Sequence, residues 1–244
     1  MYSKIPMPQV DWTKENLKYM FCFFPLIGLA IAGLSWLFAY GTAHFGFGEL
    51  FMAAGLTLIP IFVTGGIHID GLFDTADALS SWQSRERRLE ILKDSNSGTF
   101  AVITAGVYFL TWIGAYSEIV RSREFLLLMG LGFMESRCLS GLSVITFPKA
   151  KKEGTVAEFS LKAEDRLVRN VLFLWLALLL GMMLYIHPLM GALVFVCGGL
   201  VFLFYHHMAM KYFGGITGDL AGFFLSLCEV SMAVVLAVFG NIIG

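Results

Sequence analysis

Thr64-Gly65-Gly66-Ile67-His68-Ile69-Asp70-Gly71-Leu72-Phe73-Asp74-Thr75-Ala76-Asp77 follows directly on an apolar run at 50–63, and this junction decides how the chain is read. Asp70, Asp74 and Asp77 stand at i, i+4 and i+7. On a helix they project from one face within an arc of about 60°. The facing side, with Leu72, Phe73 and Ala76, is apolar. Three like charges on one stripe repel, and a divalent cation turns that repulsion into attraction. Hard carboxylate oxygens are what Mg²⁺ takes. The junction therefore predicts metal-dependent chemistry at the end of a membrane span.

Outward from this stretch the chain is apolar. Of 244 residues 57% are hydrophobic and 14% charged, against about 25% charged in soluble domains. The fold class expected is an all-α, polytopic membrane bundle forming one domain over 1–244. Seven apolar segments are read as spans, at 19–40, 50–63, 100–115, 125–145, 171–186, 189–205 and 221–243. The second and third are short. Pro60 is expected to kink the second near its end. A basic amphipathic helix at 85–93 lies outside the spans. No cleavable signal segment is expected, because residues 1–18 are polar and mixed in charge. Cys22, Cys138, Cys197 and Cys228 lie in or against apolar segments and read as small hydrophobes, not disulfides or zinc ligands.

Charge distribution sets the orientation. With the N-terminus in the cytoplasm, Lys4, Lys14 and Lys18 fall inside, with the basic residues of 64–98 and 147–170 and Lys211. Only Arg121 and Arg123 fall outside. The stretches 64–98, 147–170 and 206–220 then share the cytoplasmic side of the cell membrane. The net charge of −1 names no partner, and no nucleic-acid partner is expected. A homo-oligomer is compatible with the sequence, which does not set the number of copies.

Five constellations carry the chemistry. Thr64, Gly65 and Gly66 break the second span and let backbone approach a ligand. His68 is expected to precede the helix, so it need not share the aspartate face, and its position suits a hydrogen bond to a substrate or metal-bound group. The segment Ile91-Leu92-Lys93-Asp94-Ser95-Asn96-Ser97-Gly98-Thr99-Phe100 offers Lys93 to phosphate, Asp94 as a further metal ligand and backbone N–H groups from Ser95 onward to an anion. Glu135 and Arg137 are ionisable groups within a span; Arg137 reads as an anion clamp or as half of a structural ion pair. In Pro148-Lys149-Ala150-Lys151-Lys152-Glu153-Gly154 the lysines, Lys151 among them, meet polyphosphate or anionic lipid. Gly214-Gly215-Ile216-Thr217-Gly218-Asp219 echoes the first motif with Gly215, Thr217 and an acid at a helix start. Asp219 reads as a metal ligand or a cap. Glu229 either faces the site or pairs within the bundle.

Together these motifs resemble the cobalamin synthase family, the adenosylcobinamide-GDP ribazoletransferases. The resemblance rests on TGGIHIDGLFDTADA at 64–78, ILKDSNSGTFA at 91–101, Arg137, PKAKKEG at 148–154 and GGITGDLAG at 214–222, in order over nearly the whole chain. The sequence departs from the family where Ala78 and Ala101 replace frequent glycines, and where Asn96 and Lys151 replace frequent arginines.

The resemblance implies that adenosylcobinamide-GDP and α-ribazole, or its 5′-phosphate, give adenosylcobalamin, or its 5′-phosphate, and GMP, with Mg²⁺ as cofactor. The ribazole hydroxyl attacks the phosphorus on the cobinamide side of the pyrophosphate. Asp70, Asp74, Asp77, Asp94 and Asp219 are then the candidate metal ligands. Thr64, Gly65, Gly66, Lys93, Ser95, Arg137, Lys151, Gly215 and Thr217 are the candidate substrate contacts. Asp74, then His68, is the candidate base. Two other readings compete: a CDP-alcohol-type membrane phosphotransferase, which lacks a match here because Asp70-Gly71 is followed by no Ala-Arg pair, and a cation transporter, which needs acids near the bilayer midplane.

Overall fold

The computed structural model describes residues 18–94, 96–150 and 165–243. They form helices: a short 3₁₀ turn at Met20–Phe23 leads into α1 (Pro25–His44), followed by α2 (Glu49–Thr64), α3 (Ile67–Ser80), α4 (Arg85–Ile91), α5 (Thr99–Ile119), α6 (Arg123–Thr146), α7 (Asp165–Ile186), α8 (Pro188–Tyr212) and α9 (Gly218–Ile243). Six of these segments, those of α1 and α5 to α9, are long and apolar enough to cross a membrane. The protein is an all-α, multi-pass membrane bundle. Large apolar side chains such as Leu37, Phe62, Leu110, Leu174 and Leu203 are exposed on its flanks, where acyl chains cover them.

α2 has 16 residues, about 24 Å at 1.5 Å per residue, short of the ~30 Å hydrocarbon core. The helix continues through Pro60 to Thr64, whose hydroxyl donates to the Pro60 carbonyl at 2.8 Å. The sharp turn comes two residues later. Gly65 and Gly66 both take left-handed φ values, +70° and +83°, which side chains resist. The chain there bends by 95° into α3. The third apolar segment is not short: α5 runs for 21 residues because Tyr116, Ser117 and Glu118 stay helical past the apolar run.

α6 lies at the centre, with every residue from Leu128 to Val144 buried. α1 packs antiparallel to it through small residues, a common device where lipid supplies no hydrophobic drive between helices. A Cβ at Gly28 would overlap the Phe133 backbone, and one at Gly130 would meet Ala32 at 3.0 Å. α7 and α8 form a tight pair: Pro188 starts α8, and the His187 Nδ1 accepts from the Met190 N–H at 3.2 Å.

Side-chain contacts separate the two ends of the bundle. At one end Arg121 pairs with Glu49 at 3.3 Å, and Asn241 donates to Glu118 at 3.1 Å. At the other end sit α3, α4, the start of α5, the end of α6 and the turn between α8 and α9. Lys149 and Ile216 form a parallel bridge there, the isolated β-bridge among the described residues. Segments 64–98, 147–150 and 206–220 therefore meet at one end, as the charge pattern predicts. α3 sits at this end, packed on the first turns of both α5 and α9.

Candidate functional site

α3 contains the whole aspartate stripe. It is also amphipathic in a second sense. His68, Gly71, Leu72, Thr75 and Ala78 are buried against the bundle, while along the stripe Asp70 is exposed and Asp74 and Asp77 are half-buried. The contact with α9 is backbone on backbone. A Cβ at Gly71 would overlap the Asp219 carbonyl, and one at Gly222 would lie 3.0 Å from the His68 carbonyl oxygen. Two glycines thus let α3 and α9 touch, and the touch brings Asp219 to the stripe.

The consequence is electrostatic. Burial pushes the Asp74 carboxyl up to about 6, with the charges of Asp70, Asp219 and Asp77 adding to the rise. Like charges close together disfavour ionisation. Asp94 is not among the acids acting on Asp74. It is exposed, and its Oδ1 accepts from the Asn96 backbone at 3.0 Å and side chain at 2.9 Å. Asp77 has a local task. Its Oδ2 accepts from the Gly98 N–H at 2.6 Å and its Oδ1 from the Ala101 N–H at 2.9 Å. It ties α3 to α5 and satisfies two N–H groups that the start of a helix leaves unpaired. Among the described residues no three Asp, Glu, His or Cys side chains converge closely enough to enclose an ion. The donor chemistry nonetheless fits a hard cation: carboxylates from two helices crowd each other, and Mg²⁺ is commonly held by one or two carboxylates with several waters kept.

His68 does not precede the helix but occupies its first turn, on the buried side away from the stripe. Its imidazole is 8% exposed, and Nε2 has no hydrogen-bond partner. Burial, and then the Arg137 charge, lowers it to about 3, so it is neutral. Arg137 is fully buried at mid-span and forms an ion pair with Glu229 of α9. Its Nη1 also donates to the Phe133 carbonyl at 2.9 Å and Ser136 at 3.0 Å, and Ser136 donates to Glu229 at 3.0 Å. The ion-pair alternative is the one the geometry realises, with Glu229 rather than Glu135 as partner. Nothing local in the sequence marks that partner.

Thr217 caps α9: its hydroxyl accepts from the Leu220 N–H at 3.2 Å and lies 3.5 Å from Asp219 Oδ2. Of the two roles open to Asp219, the cap thus falls to its neighbour. Gly215 packs on the Lys149–Ala150 backbone, where a Cβ would collide with the Ala150 nitrogen. The Ile216 N–H donates to the Pro148 carbonyl at 2.9 Å, and the Ala150 N–H to the Ile216 carbonyl at 3.0 Å. Thr64 is buried against its own helix. Lys93 is exposed just beyond α4. Ser95 and Lys151 lie outside the described residues.

The model of the cobalamin-5-phosphate synthase family matches residues 1–237 of this chain. The chain belongs to the cobalamin-5-phosphate synthase family. Curated relatives agree. An adenosylcobinamide-GDP ribazoletransferase of Lachnoclostridium phytofermentans is 44% identical over 240 residues, covering 97% of this chain and 91% of that protein. Proteins of the same name from Desulfitobacterium hafniense, at 33% over 93% of this chain and 90% of the relative, and from Clostridium botulinum strain Alaska E43, at 31% over 94% and 91%, are similar along the same length. No solved structure matches the chain. Membership in this synthase family makes the chain a transferase of cobalamin biosynthesis.

Proposed function

We propose that this chain transfers the adenosylcobinamide-phosphate moiety of adenosylcobinamide-GDP to α-ribazole or its 5′-phosphate, releasing GMP, at the cytoplasmic face of the cell membrane. The observation that carries the reading is the α3–α9 contact, which sets Asp219 among the acids of the stripe, where burial first and then the neighbouring acids raise the proton affinity of Asp74. In the reaction the ribazole hydroxyl oxygen forms a bond to the phosphorus on the cobinamide side. The bridging P–O bond breaks, and GMP departs with the bonding electron pair. Phosphoryl transfer needs placement and charge neutralisation more than covalent help.

Asp74 takes the hydroxyl proton. A base whose proton affinity lies near the working pH is suited to that step. His68, neutral and turned into the bundle, supports α3 from behind. Asp70 and Asp219, the other acids crowding this point, would hold Mg²⁺. When bound, Mg²⁺ supplies positive charge against the diphosphate. Asp77 holds α3 to the first turn of α5 and so fixes the stripe.

The purified protein with Mg²⁺, adenosylcobinamide-GDP and α-ribazole is expected to release GMP, followed by chromatography. Release of CMP from a CDP-activated alcohol instead would point to the phospholipid-type reaction. Metal flux in proteoliposomes without substrate would point to transport. Arg137 and Glu229 neutralise each other at mid-span, Glu135 stays there without an ion-pair partner among the described residues, and the acids of the stripe gather at one end of the bundle instead, which argues against that last outcome.

A further inference from the structure

α4 carries three arginines, and they are not equivalent. Arg87 turns to its own helix and pairs with Glu90 at 2.6 Å. Arg85 and Arg88, three residues apart and so on one face, turn instead to the chain between α8 and α9. The Arg85 guanidinium lies directly over Gly214, where any Cβ would overlap Cζ and both terminal nitrogens. Gly214 has a φ of +69°, so backbone and space alike call for glycine. The Arg88 guanidinium lies 4.9 Å from the centre of the Tyr212 ring, and its Nε is buried without a hydrogen-bond partner. Among the described residues neither arginine has an ion-pair partner, although Glu86 and Glu90 stand on the same short helix.

The segment beneath them is held firmly. Tyr212 ends α8, Gly215 packs on Ala150, Ile216 is bridged to Lys149, and Thr217 caps α9. Asp219 lies five steps along the chain from Gly214, at most about 18 Å. Two guanidinium groups thus stand over a fixed turn that leads directly into the helix start carrying Asp219. Guanidinium forks bind phosphate oxygens in pairs. The aromatic ring and the glycine fix their positions without using their donors.

We propose that Arg85 and Arg88, presented over the Tyr212–Gly215 turn, bind the phosphate of the nucleotide half of the substrate and of the nucleoside monophosphate that leaves. The assignment rests on the transfer reaction proposed above. It replaces Arg137, which is fully buried in its pair with Glu229, as the arginine that meets phosphate.

The test is equilibrium binding of GMP to the purified full-length protein, with guanosine as the control lacking phosphate. Wild-type protein is expected to bind GMP and not guanosine. Arg85→Ala, at an exposed site where folding is not at stake, is expected to weaken GMP by about tenfold or more, the scale of a lost charge-assisted contact. Arg85→Lys recovers part of the loss, and Arg88→Lys weakens binding while keeping a cation over Tyr212. In turnover the KM for adenosylcobinamide-GDP rises and that for α-ribazole does not. Wild-type protein that binds GMP no better than guanosine would overturn the assignment. So would an Arg85→Ala/Arg88→Lys variant with unchanged GMP affinity. Arginine-dependent GMP binding without any turnover by wild type would sustain the nucleotide site and sink the transfer reaction, so the two failures are separable.

Discussion

Asp74 is the residue on which chemistry and stability meet. Its carboxyl is raised from 3.8 to about 6, by burial first and by Asp70, Asp219 and Asp77 next. The folded protein therefore holds this proton more tightly than the unfolded chain. That contribution to stability is fully present below about pH 4 and is lost as the pH climbs to about 6. Asp74→Asn removes the penalty of the ionised form. The variant is expected to melt higher than wild type at pH 7.5 without Mg²⁺ and to match it near pH 4, while transfer is abolished. Added Mg²⁺ narrows the gap by stabilising wild type more. Equal melting of the two proteins at pH 7.5 would mean that the crowding costs nothing. The stripe was legible because its spacing is local. The partner of Arg137 was not, because Glu229 lies far along the chain and a lone in-span acid carries no address. For this pair, Arg137→Met or Glu229→Gln alone strands a buried charge or its partner's donors and is expected to cost about 3–5 kcal/mol. The double variant, with no charge left to strand, is expected to recover both the melting temperature and the turnover. Recovery of folding without turnover would return Arg137 to the substrate.

At the scale of elements, the site depends on how closely two helices approach. Gly71 of α3 has no room for a methyl group, because the Asp219 backbone occupies it, and at Gly222 of α9 the fit against the His68 backbone is tight. Gly71→Ala must push α3 away from Asp219. Overpacking of this kind costs about 1–3 kcal/mol, and the displacement acts on the acids directly. A lower melting temperature and a fall in kcat larger than in KM are expected. Gly33→Ala, on a face of α1 with no atom within reach, is the control and should change neither. A Gly71→Ala enzyme with normal kcat would mean that the stripe works without Asp219. The sequence signalled breaks at both glycine pairs, but not what each break accomplishes. Gly65-Gly66 turns the chain through 95° into α3. Gly214 makes room for an arginine from α4. Helix ends were legible only where apolar composition ends with them. α5 and α8 outlast their apolar runs because Ser117, Glu118, His206, His207 and Lys211 remain helical beyond them.

The whole molecule is polarised. The described parts of the motifs that the sequence singles out, apart from the buried pair, gather at the end where α3 and α4 lie, and the opposite end holds ion pairs among Glu49, Glu118 and Arg121. This arrangement was legible from charge and hydropathy together, because an odd number of crossings between polar stretches forces them to opposite sides. The count of seven is kept only if α2, short as it is, crosses before the chain turns. Thiol labelling in intact cells tests the polarity. The native cysteines give little background: Cys22, Cys138 and Cys228 are buried and Cys197 lies within α8. Trp82→Cys is suited to one end, since Trp82 is 90% exposed between α3 and α4. Arg121→Cys is suited to the other, where the arginine is exposed at the turn between α5 and α6. A reagent that does not cross membranes is expected to label position 121 from outside and position 82 only after permeabilisation. Labelling of both from outside would mean that α5 does not separate the two loops as a crossing helix must. Labelling of position 82 alone would invert the molecule and set the acids and arginines on the side away from cytoplasmic nucleotide, which the transfer reaction could not survive.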